Sequence, residues 1–417
     1  MDKGEVELQT GPFGTQLHAS DYVETGTPMI NARNIGFGEI RTEKLEYLSE
    51  DTIKRLSSHL LHTGDLVFGR KGTVERHVLI RPEYDGWFQG TDCLRIRFKS
   101  KSINPRFVSY TFLTDYHKQW MINQSSHGAT MTSLNQGIIS RIPLSLPDIQ
   151  IQNKIASILS AYDDLNQNNI RRIRILEEMA QMIYREWFVN FHFPGHGGVR
   201  MVESELGPVP EGWKVKTVEE TFEISGGGTP STKVPEYWES GTINWYSPVD
   251  LTATGTMFMD CSGNQINELG LKKSSAKIFP PYSVMMTSRA TLGVISINTT
   301  DACTNQGFIT CIPNEQIPLY TLYHWLKENV EMFISLGTGS TFKEITKGVF
   351  KTIQLVVPTP DVISQFEKTM QPLALQILNL QRKNANLRRT RDLLLPKLIS
   401  GELDVSILDI RIPEAEA

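Results

Sequence analysis

A chain of 417 residues has room for two to four domains, and its 40% hydrophobic and 21% charged content is that of an ordinary globular protein. A formal net charge of −4 excludes a strongly basic stand-alone coat for nucleic acid, so DNA binding would have to rest on local patches or a basic partner. Cys93, Cys261, Cys303 and Cys311 form no CxxC pair, and neither a leader peptide nor an apolar run of about 18 residues occurs, so we expect a soluble, cytoplasmic protein without a zinc ribbon, disulfide framework or membrane span.

Residues 1–146 read as a mixed domain. Runs at 65–68, 77–80 and 93–98 are bounded by Gly, Pro, Asn and Asp, as strands are. The spacing of Phe107, Tyr110, Leu113, His117 and Trp120 predicts one helix over 105–122. A first long helix over 147–192 opens with Asp148. Its apolar seam, Ile151, Ile155, Ile158, Tyr162, Leu165, Asn169, Arg172, Leu176, Ala180, Ile183 and Trp187, steps by four and three until a late slip, the period of a coiled coil.

A linker over 193–212 leads into a second mixed domain over 213–358. A second long helix over 359–401 carries the seam Phe366, Met370, Leu373, Ile377, Leu380, Asn384, Leu387, Arg391, Leu394 and Leu398, and a tail over 402–417 ends the chain. Pro372 predicts a later start or a kink. Asn169, Asn384 and Arg391 at seam positions either set the register or interrupt a frayed coil. A 40-residue helix is about 60 Å long. The first therefore carries the chain away and the second must return. The expected fold class is α+β: two globular mixed α/β domains separated by two long antiparallel helices forming a coiled coil, a pseudo-two-fold tandem repeat.

Repetition is the strongest signal. The segment Gly128–Pro147 recurs as Gly339–Pro358, 211 positions later (358 − 147 = 211), with Gly, Thr, Ile, Leu and Pro at matching places. Solenoid repeats are about 20–50 residues long. Each copy here is a whole domain with its helix, which suggests a ligand with two sites.

Enzymatic strings are missing or broken. Asn104-Pro-Arg-Phe107 and Phe279-Pro-Pro-Tyr282 each depart from the Asn/Asp/Ser-Pro-Pro-Tyr/Phe turn of amino-methyltransferases, no glycine-rich cofactor turn accompanies them, and no GxxxxGK[ST] phosphate loop occurs. The pairs His59/His62 and His192/His196 lack the companions of a metal site. We therefore assign no catalytic residue and no metal ligand.

Basic, Gly/Thr-rich loops recur at matched places instead. Gly64–Thr73, with Arg70, Lys71 and Thr73, answers Tyr282–Gly293, with Arg289 and Thr291. Thr130, Thr132 and Gln136 answer Thr341, Lys343 and Lys347. Arginine pairs bidentately with guanine while hydroxyl donors grip phosphate, so these eleven residues are candidate DNA contacts. Solvated hairpins are the plain alternative, and repetition in both halves weighs against it. Arg382, Lys383, Arg388, Arg389 and Arg391 form a basic helical stretch that suits DNA phosphate, an acidic partner or simple solvation.

With these parts assembled, the chain resembles the specificity subunit of Type I restriction-modification systems. The resemblance rests on the repeated Gly-x-Thr…Gly…Pro segment leading into a helix, on Gly11-Pro-Phe-Gly-Thr15 and Ser225-Gly-Gly-Gly-Thr-Pro230, and on Pro208-Val-Pro-Glu-Gly-Trp213. Thr287-Ser-Arg-Ala-Thr291 with Asn305-Gln-Gly307, and Leu394–Leu403, complete it. It implies two target-recognition domains reading the halves of a bipartite site in double-stranded DNA, and helices that dock two modification subunits. Restriction subunits join these. S-adenosylmethionine, ATP and Mg are then expected on the partners, with no cofactor in this chain and no chemistry of its own. We assign docking to Leu176, Ile183, Trp187, Leu387, Leu394 and Leu398.

One departure concerns the first domain, which begins almost directly at Gly11 without the Pro-x-x-Gly-Trp lead-in of the second. Either the start is short of the usual first strand, the favoured reading, with the tail packed nearby, or the tail from Gly401 completes the domain and makes the fold circular. The helices would fix half-site spacing at about one DNA turn, roughly 34 Å, and the partner would extrude the target base. Two other readings remain: a self-contained methyltransferase or nuclease, and a scaffold whose heads bind protein.

Overall fold

The computed structural model describes residues 5–13, 15–125, 133–339 and 343–410. The chain divides into two compact units, Met1–Asn166 with Asn386–Ala417, and Gln167–Ala385. The expected domain boundaries at 146/147 and 358/359 lie one or two residues before the helix starts at Ile149 and Pro360. The units differ from that division because each takes in part of both long helices.

The first unit is built on a four-stranded antiparallel sheet in the order Val6–Thr10, Cys93–Phe98, Leu66–Gly69, His77–Leu79. Side chains on a strand alternate between faces. Accordingly Leu66, Phe68, Leu94 and Ile96 enter a core with Phe107, Val108 and Phe112, whereas Val67 and Cys93 turn to a second core with Ile30, Ile35 and Val78. The tail belongs here: Val405 is buried with Ile155, Leu159, Leu395 and Leu398, and Lys154 Nζ donates to the Ser406 carbonyl at 2.7 Å. Both arrangements weighed for the tail place it beside this domain.

The single helix expected over 105–122 is in fact two, Pro105–Phe112 and Asp115–Ser125. Thr114 lies at the break. Its hydroxyl donates back to the Thr111 carbonyl at 2.8 Å and meets His117 Nδ1 at 2.8 Å, a local alternative to helical bonding that threonine readily offers.

The second unit repeats the sheet. Glu223–Gly226, Phe308–Ile312, Val284–Thr287 and Ile295–Asn298 take the same order with the same antiparallel pairing, extended by Phe258–Met259. The alternation is repeated as well. Val284, Met286, Ile309 and Cys311 face one core, and Met285 and Phe308 face another.

The long helices are Ile149–Tyr184, continued by a π-helical turn over Arg185–Val189, and Pro360–Ser400. Pro372 neither delays nor interrupts the second, contrary to expectation. It is exposed, and Phe366, Met370, Ala374 and Ile377 bury the opposite side of the helix around it. Within the second unit the two helices run antiparallel, since Tyr184 meets Phe366 while Asn169 meets Asn384. The amide pair is buried, with Asn169 Nδ2 donating to Asn384 Oδ1 at 2.8 Å. In the first unit Arg391 pairs with Asp163, whose other oxygen accepts the Tyr110 hydroxyl at 2.6 Å.

The first helix keeps the expected seam at nine of its eleven positions, which are buried or half-buried, and departs from it at two. Leu165 and Arg172 are exposed, whereas Asn166 is buried and Ile173 packs on the core. A helix of 3.6 residues per turn drifts by about 20° per heptad against a 3.5 repeat, so a strict four-three spacing does not stay centred on the buried face at every position.

Candidate nucleic-acid interface

Each sheet ends a central strand in the same turn. After Leu66–Gly69, Arg70 N–H donates to the Asp92 carbonyl at 2.8 Å, and the Arg70 carbonyl accepts from Leu134 N–H at 2.8 Å. After Val284–Thr287, Ser288 N–H donates to the Gly307 carbonyl at 2.8 Å, and its carbonyl accepts from Ile345 N–H at 3.0 Å. Arg70 therefore corresponds to Ser288, and Lys71 corresponds to Arg289. Lys71 bridges to Ser133 and Arg289 to Glu344, so equivalent described positions of the repeated segment meet the turn in both units.

The next residue is left-handed in both, Gly72 at φ 79° and Ala290 at φ 63°. Glycine adopts this region freely, whereas alanine pays a steric cost, so the second turn is held in a strained conformation. Thr73 and Thr291 follow, half-buried and exposed respectively. Arg70 turns away from the pattern: its guanidinium lies 5.9 Å from the Phe13 ring centroid, and its Nε is buried. That placement makes Arg70 a packing residue of this loop.

The electrostatics of the two turns differ. Lys71 Nζ is 3.1 Å from Asp92 Oδ1. Arg289 Nε is 3.8 Å from Glu344 Oε2, beyond hydrogen-bond reach, and its side chain is exposed. Beside Arg289 opens a cleft of about 230 Å³ lined by Pro248, Ala290, Asn305, Gln306 and Gly307. Thr229 Oγ1 donates to Gln306 Oε1 across 2.7 Å.

Gln136 and Lys347 also occupy equivalent places. Each is the first residue of a short helix, Gln136–Ile139 capped by Asn135 and Lys347–Lys351 capped by Thr346. Gln136 Nε2 reaches the first strand of its sheet, 3.2 Å from Thr10 Oγ1. Lys347 Nζ lies over Gly226, where a β-carbon would collide with it. Burial of this ammonium, and Lys277 nearby, hold its pKa below the usual lysine value although the residue as a whole stays exposed. Lys343 is exposed, and its carbonyl accepts from Ala290 N–H at 3.1 Å, tying it to the Arg289 turn. Thr130, Thr132 and Thr341 lie outside the described residues.

Asp92, Thr229, Asn305 and Gln306 were missed as site residues by sequence reasoning. Asn305-Gln306-Gly307 and the Gly-Gly-Gly-Thr string were visible as motifs, but their meeting with Arg289 depends on the sheet. Their glycines have a steric role: a β-carbon on Gly11 would strike the Gly90 carbonyl, and one on Gly227 the Asn305 carbonyl. The opening segment of each domain thus crosses the loop before the strand that pairs with it.

The assigned docking residues lie on the inward side of the long helices, and Leu398 is fully buried there. Leu398 is 1% exposed in the core of the first unit, and Leu394 packs against it. Leu176, Ile183 and Trp187 pack on the core of the second unit, and Leu387 is half-buried. Of the six, Leu398 alone is buried and the other five are half-buried. The first helix and its π-helical turn expose Leu165 and Ile170, and further along Ile175, Met179, Met182 and Val189.

The broken methyltransferase-like strings have structural work. Asn104 Oδ1 caps the helix Pro105–Phe112 by accepting from Arg106 and Phe107 N–H, and Phe279 is buried beside Ala302. Among the described residues no three His, Cys, Asp or Glu side chains converge as metal ligands would, and no helix is long and apolar enough to cross a membrane.

Residues 16–178 and 210–388 each match the family model of the Type I restriction modification DNA specificity domain. The chain belongs to the Type I restriction-modification specificity family. The two matches fall on the two copies of the repeat. The Type I restriction enzyme MjaIX specificity subunit of Methanocaldococcus jannaschii is 34% identical over 161 residues, 38% of this chain and 37% of that protein. The HindI specificity subunit of Haemophilus influenzae is 22% identical over 437 aligned positions, spanning 88% of this chain and 94% of that one. The crystal structure of a Type I S subunit from M. genitalium shares the fold, with a TM-score of 0.57 at 15% identity over 95% of this chain and 94% of that one.

Proposed function

We propose that the chain is the DNA-reading specificity subunit of a Type I restriction-modification complex, each recognition domain reading one half of a bipartite, asymmetric site in double-stranded DNA. The observation that carries this reading is the same sheet and the same cation-bearing turn built twice with different side chains, Lys71 with Asp92 and Arg289 with Gly307. A shared frame with unlike readers suits a target with two unlike halves. Lys71, Thr73, Gln136, Arg289, Thr291, Lys343 and Lys347 are the described candidates for DNA contact, with Thr130, Thr132 and Thr341 in the intervening segments.

The two long helices would act as an antiparallel coiled-coil spacer that sets the distance between half-sites. They would also dock two modification subunits. Ile175, Met179, Met182 and Val189 recur at helical spacing on an exposed face and give such a partner an apolar stripe. Methyl transfer from S-adenosylmethionine, and the ATP- and Mg-dependent work of restriction subunits, then belong to the partners in the cytoplasm. This chain supplies recognition and spacing without covalent chemistry.

The experiment is methyl transfer from labelled S-adenosylmethionine to DNA by this chain alone, by its modification subunit alone, and by the two together. Sequence-dependent transfer only by the mixture is expected. Transfer by this chain alone would contradict the proposal and favour a self-contained methyltransferase.

A further inference from the structure

The two turns are superimposable in their backbone bonds, yet they differ at the residue that faces the cation. Gly69 is in register with Cys93, and Thr287 with Phe308, so Asp92 and Gly307 hold the same position immediately before the paired strand. Asp92 places a carboxylate 3.1 Å from Lys71 Nζ. Glycine at 307 places nothing against Arg289, and the space becomes the cleft that Asn305 and Gln306 line.

A carboxylate at that position occupies the donors of the turn's cation and repels phosphate and the acceptor edge of a base. Without it, a guanidinium keeps its planar fork, which matches the O6 and N7 acceptors of guanine. The strained Ala290 fixes the backbone directly after Arg289, and the Lys343 carbonyl holds the Ala290 N–H. The base of the arginine is thus positioned while its tip, whose nearest carboxylate is Glu344 at 3.8 Å and beyond hydrogen-bond reach, is left to a ligand.

We infer that the residue facing the turn's cation determines specificity in each recognition domain: Gly307 commits Arg289 to reading a guanine in the second half-site, and Asp92 withdraws Lys71 from that role in the first. The inference rests on the proposed DNA-reading function and adds a base, a residue and a switch position to it. Gly307 is suited to a test by substitution. Its backbone lies outside the left-handed region, and a β-carbon there would stand 3.1 Å from Asn305 Oδ1 and 3.4 Å from Pro248 Cγ, a tight but tolerable fit.

The test uses the complex assembled with its modification subunits and DNA libraries randomised at each half-site position, with adenine methylation as the readout. The wild-type complex is expected to require a G·C pair at one position of one half-site. Arg289→Ala should relax that position by roughly ten- to a hundred-fold while the other half-site stays unchanged. Gly307→Asp should relax the same position although Arg289 is still present, and the isosteric neutral Gly307→Asn should preserve discrimination. Asp92→Gly should strengthen binding and steepen its salt dependence by about one charge.

If Arg289→Ala weakens methylation equally at all sequences, or if Gly307→Asn acts as strongly as Gly307→Asp, the inference is overturned while the bipartite reading stands. If the wild-type complex shows no bipartite requirement at all, the functional reading itself has failed.

Discussion

The two units share a sheet order and a turn, yet they fill equivalent positions with different chemistry. In the first, Arg95 and Arg97 on the strand Cys93–Phe98 are anchored by Glu7 and Asp65, with Arg97 bidentate to Asp65 at 2.7 Å through both Nε and Nη2. In the second, the positions of Arg95, Arg97 and Asp65 are held by Thr310, Ile312 and Ser283. The helices differ in the same way. Asp163, Arg391 and Tyr110 form a charged cluster in the first unit, and the Asn169–Asn384 amide pair is neutral in the second. What the repeat preserves is geometry: strand order, the left-handed turn, and glycines where two backbones touch. Ionic detail is free to vary around it.

Breaking a buried pair by removing one partner costs more than the pair contributes, so the largest difference should come from Asp65, whose side chain is 1% exposed. Asp65→Ala should lower stability by about 3 kcal/mol or more. Ser283→Ala in the second unit, which loses one hydrogen bond to the Pro280 carbonyl, should cost about 1 kcal/mol. Denaturant midpoints of the two variants measure this contrast, and equal losses would remove it.

Acid should weaken both units through buried histidines, His77 foremost in the first, where His59 and His117 are also buried, and His324 in the second. Burial lowers the pKa of His77 to about 4, against the acceptor Ser109 carbonyl, and that of His324 to about 3. The folded state binds a proton less readily than the unfolded chain. Stability is therefore full above pH about 6.5 and is lost as pH falls toward the folded values, by up to about 3 kcal/mol for His77. Unfolding midpoints between pH 7 and pH 4 should fall more gently in His77→Gln and His324→Gln variants than in the wild type. An unchanged slope would remove the histidines from the account.

A smaller effect is expected at the helix pair. Asn169→Leu leaves Asn384 buried without its partner and should cost about 1–3 kcal/mol, whereas the double change Asn169→Leu with Asn384→Leu should recover most of that loss. Double-mutant unfolding measures the coupling, and additive losses would deny that the pair acts as a unit. Smallest of all for stability is Met182→Lys, on a residue 63% exposed, which should shift it by less than about 0.5 kcal/mol. Its effect should appear instead as lost binding to the modification subunit in pull-down or titration, and retained binding would move the docking surface elsewhere.

Much of the frame was legible in the sequence because it rests on short-range periodicity. Leu66–Gly69, His77–Leu79 and Cys93–Phe98 alternate as strands, and both long helices start within a few residues of their expected places. Phase and breaks were less legible. A 3.5 repeat does not say which of Leu165 and Asn166 turns inward, and a threonine hydroxyl bonding backward ends the helix at Phe112 without disturbing the apolar spacing around it. Pro372 shows the reverse case, where tertiary packing carries a helix through a residue that local rules would place at its end.

The site was legible only as a repeated string. Lys71 and Asp92 are separated by 21 positions (92 − 71 = 21), and only strand pairing brings them to 3.1 Å. The correspondence of Lys71 with Arg289 is carried by backbone hydrogen bonds and strand register. The assigned docking residues rest on apolar periodicity, which also marks the face a helix buries within its own chain.

The central claim, one frame carrying two different readers, is tested most directly by mapping methylated adenines across the genome of the host with and without this chain. The account expects a gapped motif with two unlike halves that vanishes when the chain is deleted. A continuous motif, or one unchanged by the deletion, would contradict it.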